Sequence, residues 1–392
     1  MKRHTYFISS RSSSTDVLAA QLALSVKERF SKISGFGVAG TALKQGPVEP
    51  TFDLEQVISL GLHDTKAYSK EASQLAEEIL ECAKERLPEL AILVGYFQFQ
   101  HKLAQFFRSE GVPVVLYGST PSQAWGTIGS EDLAASVDHI LGTTPKAPKI
   151  IADSKLPYNY MGTPQKGRVG RVSVSPATIG IDASKPIVIA MPGSNLQQAQ
   201  KLLPFMEQLG ERLLERVPNI QLIVPLTAFL YHKAQAKLFD PKKIKVTKIE
   251  GQGNSTSYGC FTLLDGMSLE VLSLSTVAMT GMGSTSLESA LCKVPFVACA
   301  EAKNGKLFES MANEMAEQEL GLELGLNDDI DKAVDYLASF LQNSELLQKQ
   351  SEVLEDFSDS LKSGASESSA EYIGEHVVRW NQLRRSRIPR SV

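Results

Sequence analysis

Short apolar runs and amphipathic helical patterns alternate through the first half of the chain. Apolar runs that predict strands occur at residues 5–9, 90–95, 113–117 and 137–141, and helical patterns occur at residues 17–30 and 101–110. Strand, helix and strand at this spacing predict a parallel sheet covered by helices on both faces. Right-handed crossovers then place the loops that follow the strands along one edge of that sheet.

An irregular segment rich in Pro, Gly, Lys and Ser occupies residues 143–186, and the alternation then begins again. Strands are predicted at residues 186–191, 221–225 and 296–300, helices at 196–216 and 284–291, and a helix running into a strand at 271–280. Two such halves joined by an irregular segment predict an α/β protein with a cleft between its domains, a common place for a ligand. We expect a first domain over residues 1–165, a second over 166–360 and a helical tail over 361–392.

Composition narrows the class of protein. A chain of 392 residues, 43% of them hydrophobic, is long enough to build two cores. A net charge of −4 and the lack of a long basic stretch argue against nucleic-acid binding. No apolar run approaches the roughly 18 residues of a membrane span, and the opening residues lack the apolar run of a signal peptide. The cysteines have no metal-ligand spacing, so we expect a cytoplasmic protein with reduced thiols and no metal; they are Cys82, Cys260, Cys292 and Cys299.

The loop at residues 280–288, Thr-Gly-Met-Gly-Ser-Thr-Ser-Leu-Glu, ends an apolar run and opens a helix. Free backbone N–H groups at a helix start attract phosphate, and glycine lets a ligand approach the chain closely. Glu288, one turn into the helix, could accept hydrogen bonds from ribose hydroxyls. A purely structural alternative is that Ser284 and Glu288 stabilise the start of the helix. The local pattern leaves both interpretations open.

Two other loops also lie between a predicted strand and a predicted helix. Residues 191–195, Met-Pro-Gly-Ser-Asn, fit either a phosphate loop or a tight turn with a helix cap. Residues 9–16, Ser-Ser-Arg-Ser-Ser-Ser-Thr-Asp, could bind an anion through Arg11 and place Asp16 as a base. Asp16 could equally be a first-turn acid that favours the helix dipole.

The order and spacing of these segments resemble the lipid-A-disaccharide synthase family over nearly the whole chain. Ser14 and Asp16 match that family's opening Ala-Gly-Glu-x-Ser-Gly-Asp, and residues 191–195 resemble its Leu-Pro-Gly-Ser-Arg. Residues 264–266, Leu-Asp-Gly, and residues 283–297 match its Leu-Asp-Gly and Gly-Thr-Ala-x-Leu-Glu-x-x-Leu-x-x-Val-Pro segments. Further similar segments are residues 37–40, which resemble a Gly-Val-Gly-Gly turn, residues 114–125 and residues 161–164.

The resemblance implies a GT-B-like fold, which has two Rossmann-like domains with a cleft between them, and it also implies a reaction. In that family a 2,3-diacylglucosamine passes from UDP to a lipid monosaccharide 1-phosphate, and UDP is released. The second half would bind the UDP-sugar donor, the first half would bind the lipid acceptor, and no cofactor would be needed; a homodimer is left open. The implied donor-binding residues are Gly193, Ser194, Asn195, Asp265, Gly266, Gly283, Ser284, Thr285 and Glu288. The implied acceptor-side residues are Arg11, Ser14 and Trp125.

The chain departs from the family pattern at several charged positions. Ser12 stands where the family has Glu, and Asn195 stands where it has Arg. The family's Ile-Asp-Ala-Pro-Asp-Phe-Asn segment aligns with residues 94–100, where Gly95 and Gln98 occupy the positions of the two carboxylates. The positions that remain for a general base are therefore few.

We expect that base to be Asp16 or His101, because a transfer to a hydroxyl needs a group that accepts its proton. Two other functions fit the same architecture. One is a different UDP-sugar enzyme, such as an epimerase or a transferase for another acceptor. The other is a non-catalytic protein that binds a nucleotide sugar.

An acylated acceptor must be drawn from a bilayer, so we expect peripheral attachment to anionic lipid on the inner face of the membrane. The apolar residues 57–62 could make this contact, although a buried core segment is the alternative for them. Basic residues near the two ends of the chain could add to it, or could form a solvated end; they are Lys2, Arg3, Arg384, Arg385, Arg387 and Arg390.

Overall fold

The computed structural model describes residues 4–60, 69–95, 98–118, 128–169, 175–179, 181–194, 196–242, 244–249, 253–300 and 320–387. The chain forms two compact units. The first comprises Met1–Pro164 together with Lys362–Val392, and the second comprises Gln165–Leu361. The last segment of the chain, expected to be a separate helical tail, therefore falls with the first unit.

The described strands and helices alternate along most of the chain. The strands are β1 (His4–Ser10), β2 (Ile33–Ala39), β3 (Val48–Asp53), β4 (Leu90–Val94), β5 (Val114–Tyr117), β6 (His139–Gly142), β7 (Tyr158–Tyr160), β8 (Ile187–Met191), β9 (Gln221–Leu226), β10 (Lys245–Ile249), β11 (Gly253–Tyr258), β12 (Phe261–Asp265), β13 (Val277–Gly281), β14 (Phe296–Ala300) and β15 (Leu322–Gly325). The helices are α1 (Ser13–Arg29), α2 (Thr41–Lys44), α3 (Leu54–Ser59), α4 (Lys70–Glu85), α5 (Gln98–Ser109), α6 (Ser130–Ser136), α7 (Lys149–Ser154), α8 (Pro164–Val169), α9 (Leu196–Arg216), α10 (Gln235–Leu238), α11 (Ser268–Leu274), α12 (Ser284–Leu291), α13 (Ile330–Gln342), α14 (Ser344–Ser360) and α15 (Ala365–Arg387).

The sheet of the first unit has the order β3-β2-β1-β4-β5-β6-β7, and its neighbouring strands pair in parallel. The chain builds outward from β1 on one side and from β4 on the other, so the strand order reverses between β1 and β4. Separate apolar clusters bury side chains from opposite faces of these strands, as on β4, where Ala91 and Leu93 join one cluster and Leu90 and Ile92 the other. A sheet covered on both faces agrees with the near-continuous apolar runs of the sequence.

The sheet of the second unit has the order β10-β11-β12-β9-β8-β13-β14-β15. Its strand order reverses between β8 and β13, which are parallel neighbours. The predicted α/β class with two parallel sheets is confirmed, with one departure: near one edge β11 runs antiparallel to both of its neighbours, β10 and β12. A two-residue turn between Tyr258 and Phe261 joins β11 to β12, whereas parallel strands would have needed a long crossover.

Helices form where apolar residues recur on one face and a polar residue caps the start. In α4 the buried residues are Ala72, Leu75, Ala76, Ile79 and Ala83, which is the spacing of a single helical face. The Ser69 hydroxyl accepts a hydrogen bond from the Ala72 amide at 3.1 Å and so caps that helix. The bounds of α9, α12 and β14 coincide with the predicted residues 196–216, 284–291 and 296–300.

The glycine-rich residues 37–40 were expected to form a turn, and this was wrong for most of them. Gly37, Val38 and Ala39 complete β2, and only Gly40 leaves the strand to cap α2. Gly37 has a φ of +145°, and a β-carbon there would stand 2.1 Å from the Ile8 carbonyl oxygen. Glycine is therefore required by the close approach of β1, and the composition that looked like a turn belongs to a strand.

The C-terminal helix α15 packs against α1 in the first unit. The return of the chain to this unit is fixed locally by the Thr163 amide, which donates to the Lys362 carbonyl at 2.6 Å. The Lys362 amide donates in turn to the Tyr160 hydroxyl at 3.1 Å. In the part of the chain that the structure describes, no helix is both long enough and apolar enough to cross a bilayer.

Residues 57–62 were expected to contact a membrane or, alternatively, to form a buried core segment. At Val57, the first of them, the structure shows the buried alternative. Val57 is 1% exposed and belongs to the core of the first unit, against which Ile58 and Leu60 also pack. These side chains are used for packing because α3 lies on the sheet. Residues 61–62, Lys2, Arg3 and Arg390 lie outside the described residues.

Candidate functional site

The reversal of strand order in the second unit brings two predicted loops together. β8 and β13 are parallel neighbours that pair as far as Met191 and Thr280, so the loops that follow them leave the same edge side by side. The Gln198 side chain lies against both loops: a β-carbon at Gly193 would stand 2.8 Å from its Oε1, and one at Gly281 would stand 3.0 Å from its Nε2. In open α/β sheets, ligands bind at this kind of reversal, outside the carboxyl ends of the strands.

The start of α12 has the geometry of an anion site. Gly283 precedes the helix with a φ of +136°, and no side chain among the described residues caps it. A β-carbon at Gly283 would meet no atom of the described residues within 4 Å, so none of these residues fills the space beside Gly283. The first amides of a helix lack partners within the helix, so they are available to an anion in front of it.

Of the three hydroxyl residues after Gly283, two hydrogen-bond to the preceding turn and one is exposed. Thr285 Oγ1 and Ser286 Oγ donate to the Gly281 carbonyl at 2.9 and 3.0 Å, and so hold the turn in shape. Ser284 is exposed at the first position of the helix. The alternative in which Ser284 and Glu288 cap the helix is not observed, because Gly283 occupies the cap position.

Glu288 is a buried carboxylate in the first turns of α12. Its side chain is 10% exposed, and Arg168 Nη1 lies 3.4 Å from its Oε1. Burial raises the pKa of the Glu288 carboxyl, and the Arg168 guanidinium opposes this rise. Sequence reasoning missed Arg168, because it lies 120 residues before Glu288 in the irregular segment.

The third donor-side position lies at the end of β12. The Gly266 amide donates to the Leu226 carbonyl at 2.6 Å, which joins this turn to the end of β9. Asp265 Oδ2 lies 2.5 Å from Nε2 of His232, which stands on a π-helical turn, Phe229–Lys233. The sequence analysis also missed His232, because His232 and Asp265 follow two neighbouring strands and are far apart in the sequence.

The first loop of the first unit is built mainly as a helix cap. The amides of Arg11 and Ser12 donate to Thr15 Oγ1 at 2.9 and 2.8 Å, and Ser12 Oγ accepts from the Thr15 amide. Ser14 is exposed, with its Oγ 3.0 Å from Ser12 Oγ. The hydroxyl-rich composition of this loop is therefore used to begin α1.

Asp16 is enclosed by donors from neighbouring elements and is only 1% exposed. Its Oδ1 accepts from the Gly40 amide at 2.8 Å and from Ser10 Oγ at 3.2 Å. Its Oδ2 accepts from the amides of Ala42 and Leu43 at 2.9 and 3.2 Å. Asp16 thus caps the start of α2 and ties it to β1.

His101 lies on α5 and is 8% exposed. Its Nδ1 is 3.3 Å from Ser136 Oγ on α6. Burial lowers the pKa of His101, an effect that the Asp132 carboxylate opposes. A histidine with a lowered pKa is neutral near pH 7. Asp16 and His101 contact different elements, so the structure does not bring these two candidates together.

Two further candidate residues cannot be placed, and a third position is a buried glutamine. Trp125 and Asn195 lie outside the described residues. Gln100, in the segment where the family carries carboxylates, is fully buried and donates from Nε2 to the Ser9 carbonyl at 2.7 Å. Within the described ranges, no three His, Cys, Asp or Glu side chains are grouped as a metal ion would require.

Solved structures with the same architecture define the class of fold. The UDP-GlcNAc 2-epimerase from Neisseria meningitidis bound to UDP-GlcNAc aligns with a TM-score of 0.63 over 97% of this chain and 100% of that chain, at 9% identity. A spinosyn rhamnosyltransferase complexed with thymidine diphosphate aligns with a TM-score of 0.55 over 93% of this chain and 98% of that chain, at 13% identity. At these identities the likeness concerns the fold, which is the GT-B fold of glycosyltransferases and nucleotide-sugar epimerases.

Sequence comparison identifies the family within that class. A model of the lipid-A-disaccharide synthetase family matches residues 6–308. The lipid-A-disaccharide synthase of Myxococcus xanthus (strain DK1622) is 28% identical over 287 residues, which cover 72% of this chain and 71% of that protein. The chain belongs to the lipid-A-disaccharide synthetase family.

Proposed function

We propose that this protein is a glycosyltransferase that binds a UDP-sugar in its second unit. The transferred group is a 2,3-diacylglucosamine, the acceptor is a lipid monosaccharide 1-phosphate, and UDP is released. The observation that carries this proposal is the open, uncapped start of α12 beside the loop after β8. Membership of the lipid-A-disaccharide synthetase family supplies the class of substrates.

Each part of the nucleotide has a matching group at this edge. The first amides of α12 suit the diphosphate, because they are donors with partial positive charge at a helix start. The Glu288 carboxylate is an acceptor that suits the ribose hydroxyls. The turn at Asp265 and Gly266 lies at the same carboxyl edge and completes the donor side.

The transfer requires a leaving group that accepts negative charge. The acceptor hydroxyl oxygen forms a bond to the anomeric carbon, the bond from that carbon to the UDP oxygen breaks, and the hydroxyl proton passes to a base. The charge that develops on UDP is stabilised by the α12 amides, which are already oriented before the reaction. Asp16 and His101 are the proposed candidates for the base.

The surroundings of these two residues favour different roles for them. The neutral imidazole of His101 is in the state that accepts a proton. Each Asp16 oxygen already accepts two hydrogen bonds, which supports a role in shaping the first loop. We further propose that the acylated acceptor is taken up at an anionic membrane surface, with the arginines of α15 as the basic contribution.

The test is UDP release by the purified protein, with a UDP-diacylglucosamine donor and a lipid monosaccharide phosphate acceptor. We expect release that depends on the acceptor. Glu288→Ala should weaken UDP binding by about 1–3 kcal/mol, because the ribose hydroxyls lose a charged acceptor. Isothermal titration calorimetry gives the affinity, and the matched control is Glu352→Ala, an exposed glutamate that accepts from Gln348 on α14.

Each other outcome has a definite meaning. Conversion of a UDP-sugar without an acceptor would indicate an epimerase of the same fold. UDP binding without turnover of any UDP-sugar would indicate a non-catalytic relative. Failure of the unaltered protein to bind UDP would contradict the donor site itself.

A further inference from the structure

The buried carboxylate of Glu288 has few partners of its own. Within the described part of the chain, the hydrogen bond given to it comes from Arg168, at 3.4 Å from Oε1. A carboxylate with two oxygens can accept about four hydrogen bonds, and a buried one with few partners is costly to keep charged. The site therefore has acceptor capacity that a ligand could use.

Arg168 is held in place independently of Glu288. It lies near the end of α8, and two residues earlier Lys166 donates from Nζ to the carbonyls of Ser358 and Leu361 at 2.6 and 3.0 Å. These carbonyls are at the C-terminal end of α14, where a cation is favourable. α14 in turn packs on α12, so α8 is anchored beside the helix that carries Glu288.

We propose that Arg168 is a positioning residue of the donor site, which keeps Glu288 ionised and leaves its second oxygen for the ribose hydroxyls. This inference rests on the proposed function, because it assigns a role within the same nucleotide site. The guanidinium is well suited to it: it is charged at every relevant pH, and its side chain is only 28% exposed where it meets the carboxylate.

Among the titratable groups near Glu288, Arg168 is the one whose charge opposes the effect of burial on the pKa of Glu288. At the C-terminal cap of α12, burial raises the pKa of the Cys292 thiol to about 12, and the charge of Glu288 adds to this rise. On the packed strand β14, the Cys299 thiol lies in the apolar cluster of the other face of the sheet, away from the cluster that α12 joins. From α14, Glu355 pairs with Lys293, and both side chains are largely exposed. Loss of Arg168 should thus raise the pKa of Glu288 further.

The test is the affinity for UDP between pH 6 and pH 9, measured by calorimetry for the unaltered protein and for Arg168→Gln. As the pH is lowered, the affinity for UDP should decline when Glu288 takes up a proton. In Arg168→Gln this decline should begin at a higher pH. We expect a loss of about tenfold at pH 6 that shrinks toward pH 9. UDP ionises in the same way in both experiments, so the ratio of the two affinities reflects only the difference between the two proteins.

Three further variants separate positioning from folding. Arg168→Lys retains a cation and should recover part of the affinity at low pH. Arg168→Met removes the charge but keeps an apolar stem, and it provides a second neutral variant if Arg168→Gln melts early. The matched control is Arg212→Gln, because Arg212 also lies 3.5 Å from a carboxylate, Asp331, but that pair is exposed.

Glu288→Gln completes the design, because Arg168→Gln should cause no additional pH-dependent loss in that background. An affinity ratio that is the same at every pH, or no loss at all, would overturn the positioning role while leaving UDP binding intact. An unaltered protein that binds no UDP would instead refute the proposed function. The two failures are therefore distinguishable.

Discussion

The carboxylate of Asp16 has four donors, three of them backbone amides of the turn into α2. A base must offer a lone pair to the acceptor hydroxyl, whereas these lone pairs are already used within the fold. Both roles had been open from the sequence, since a first-turn acid and a catalytic acid occupy the same kind of position. The contacts with the start of α2 favour the structural role.

Asp16→Asn tests this at the residue scale. The amide group would place N–H hydrogens against at least one of the donors, so we expect unfolding to become easier by about 1–3 kcal/mol. Thermal melting measures the change. Asp132→Asn is the matched control, because Asp132 is an exposed carboxylate that accepts from the Gly129 amide. If Asp16→Asn keeps its melting temperature but loses turnover, Asp16 is the base instead.

The start of α12 is the element on which the proposed nucleotide site depends. Its helix is short, yet Gly283 directs the chain so that the first amides are uncapped, while Thr285 and Ser286 secure the preceding turn. The sequence predicted both the element and its bounds, because an apolar run, two glycines and hydroxyl residues are a local signal.

Gly283→Ala tests this element. An alanine at a φ of +136° is strained by about 1–3 kcal/mol, so the turn should shift and UDP affinity should fall together with the melting temperature. Gly129→Ala is the matched control, because Gly129 also occupies the cap position of a helix but has a φ of −90°. Calorimetry with UDP and thermal melting provide the readouts. Unchanged UDP affinity in Gly283→Ala would count against the anion site.

At the scale of the whole molecule, the chain returns to the first unit through α15. One contact of this return is a histidine: His139 on β6 has Nε2 2.8 Å from Asn159 Oδ1 and Nδ1 3.1 Å from the Tyr372 hydroxyl on α15. The Tyr372 ring also stacks on His376 at 4.0 Å between centroids. Burial lowers the pKa of His139, the Asn159 contact and Asp138 oppose this, and His376 lowers it further.

The lowered pKa predicts how stability changes with pH. An unfolded histidine has an ordinary pKa of about 6.5, so at lower pH the unfolded chain binds a proton at His139 that the folded protein does not bind. The free energy of unfolding should therefore fall as the pH falls from about 7 to 5. His139→Gln cannot take up that proton and should show a shallower decline in scanning calorimetry. His101→Gln provides a comparison, since burial also lowers the pKa of His101. An unaltered slope in His139→Gln would contradict this account.

Much of the architecture was present in the sequence alone. The strands β1, β4, β5, β6, β8, β9, β13 and β14 follow from apolar runs, and the helices α1, α5, α9 and α12 follow from helical periodicity, because those patterns depend on neighbours a few residues apart. Strands such as β2, β3, β7 and β15 were not predicted. The loops between strand and helix were predicted for the same reason. Their order along the chain also carried the family resemblance, which the comparison over residues 6–308 confirmed.

Only the tertiary structure decided which residues meet. Glu288 pairs with Arg168 across 120 residues, and Asp265 with His232 across 33, and neither pair leaves a periodic trace in the sequence. Glycine at position 37 looked like a turn until β1 was placed against it, and the reversal of strand order at β8 and β13 is invisible before the sheet is assembled. Local patterns specify elements through neighbouring residues, whereas the partners of a buried charge are set by packing among distant parts of the chain.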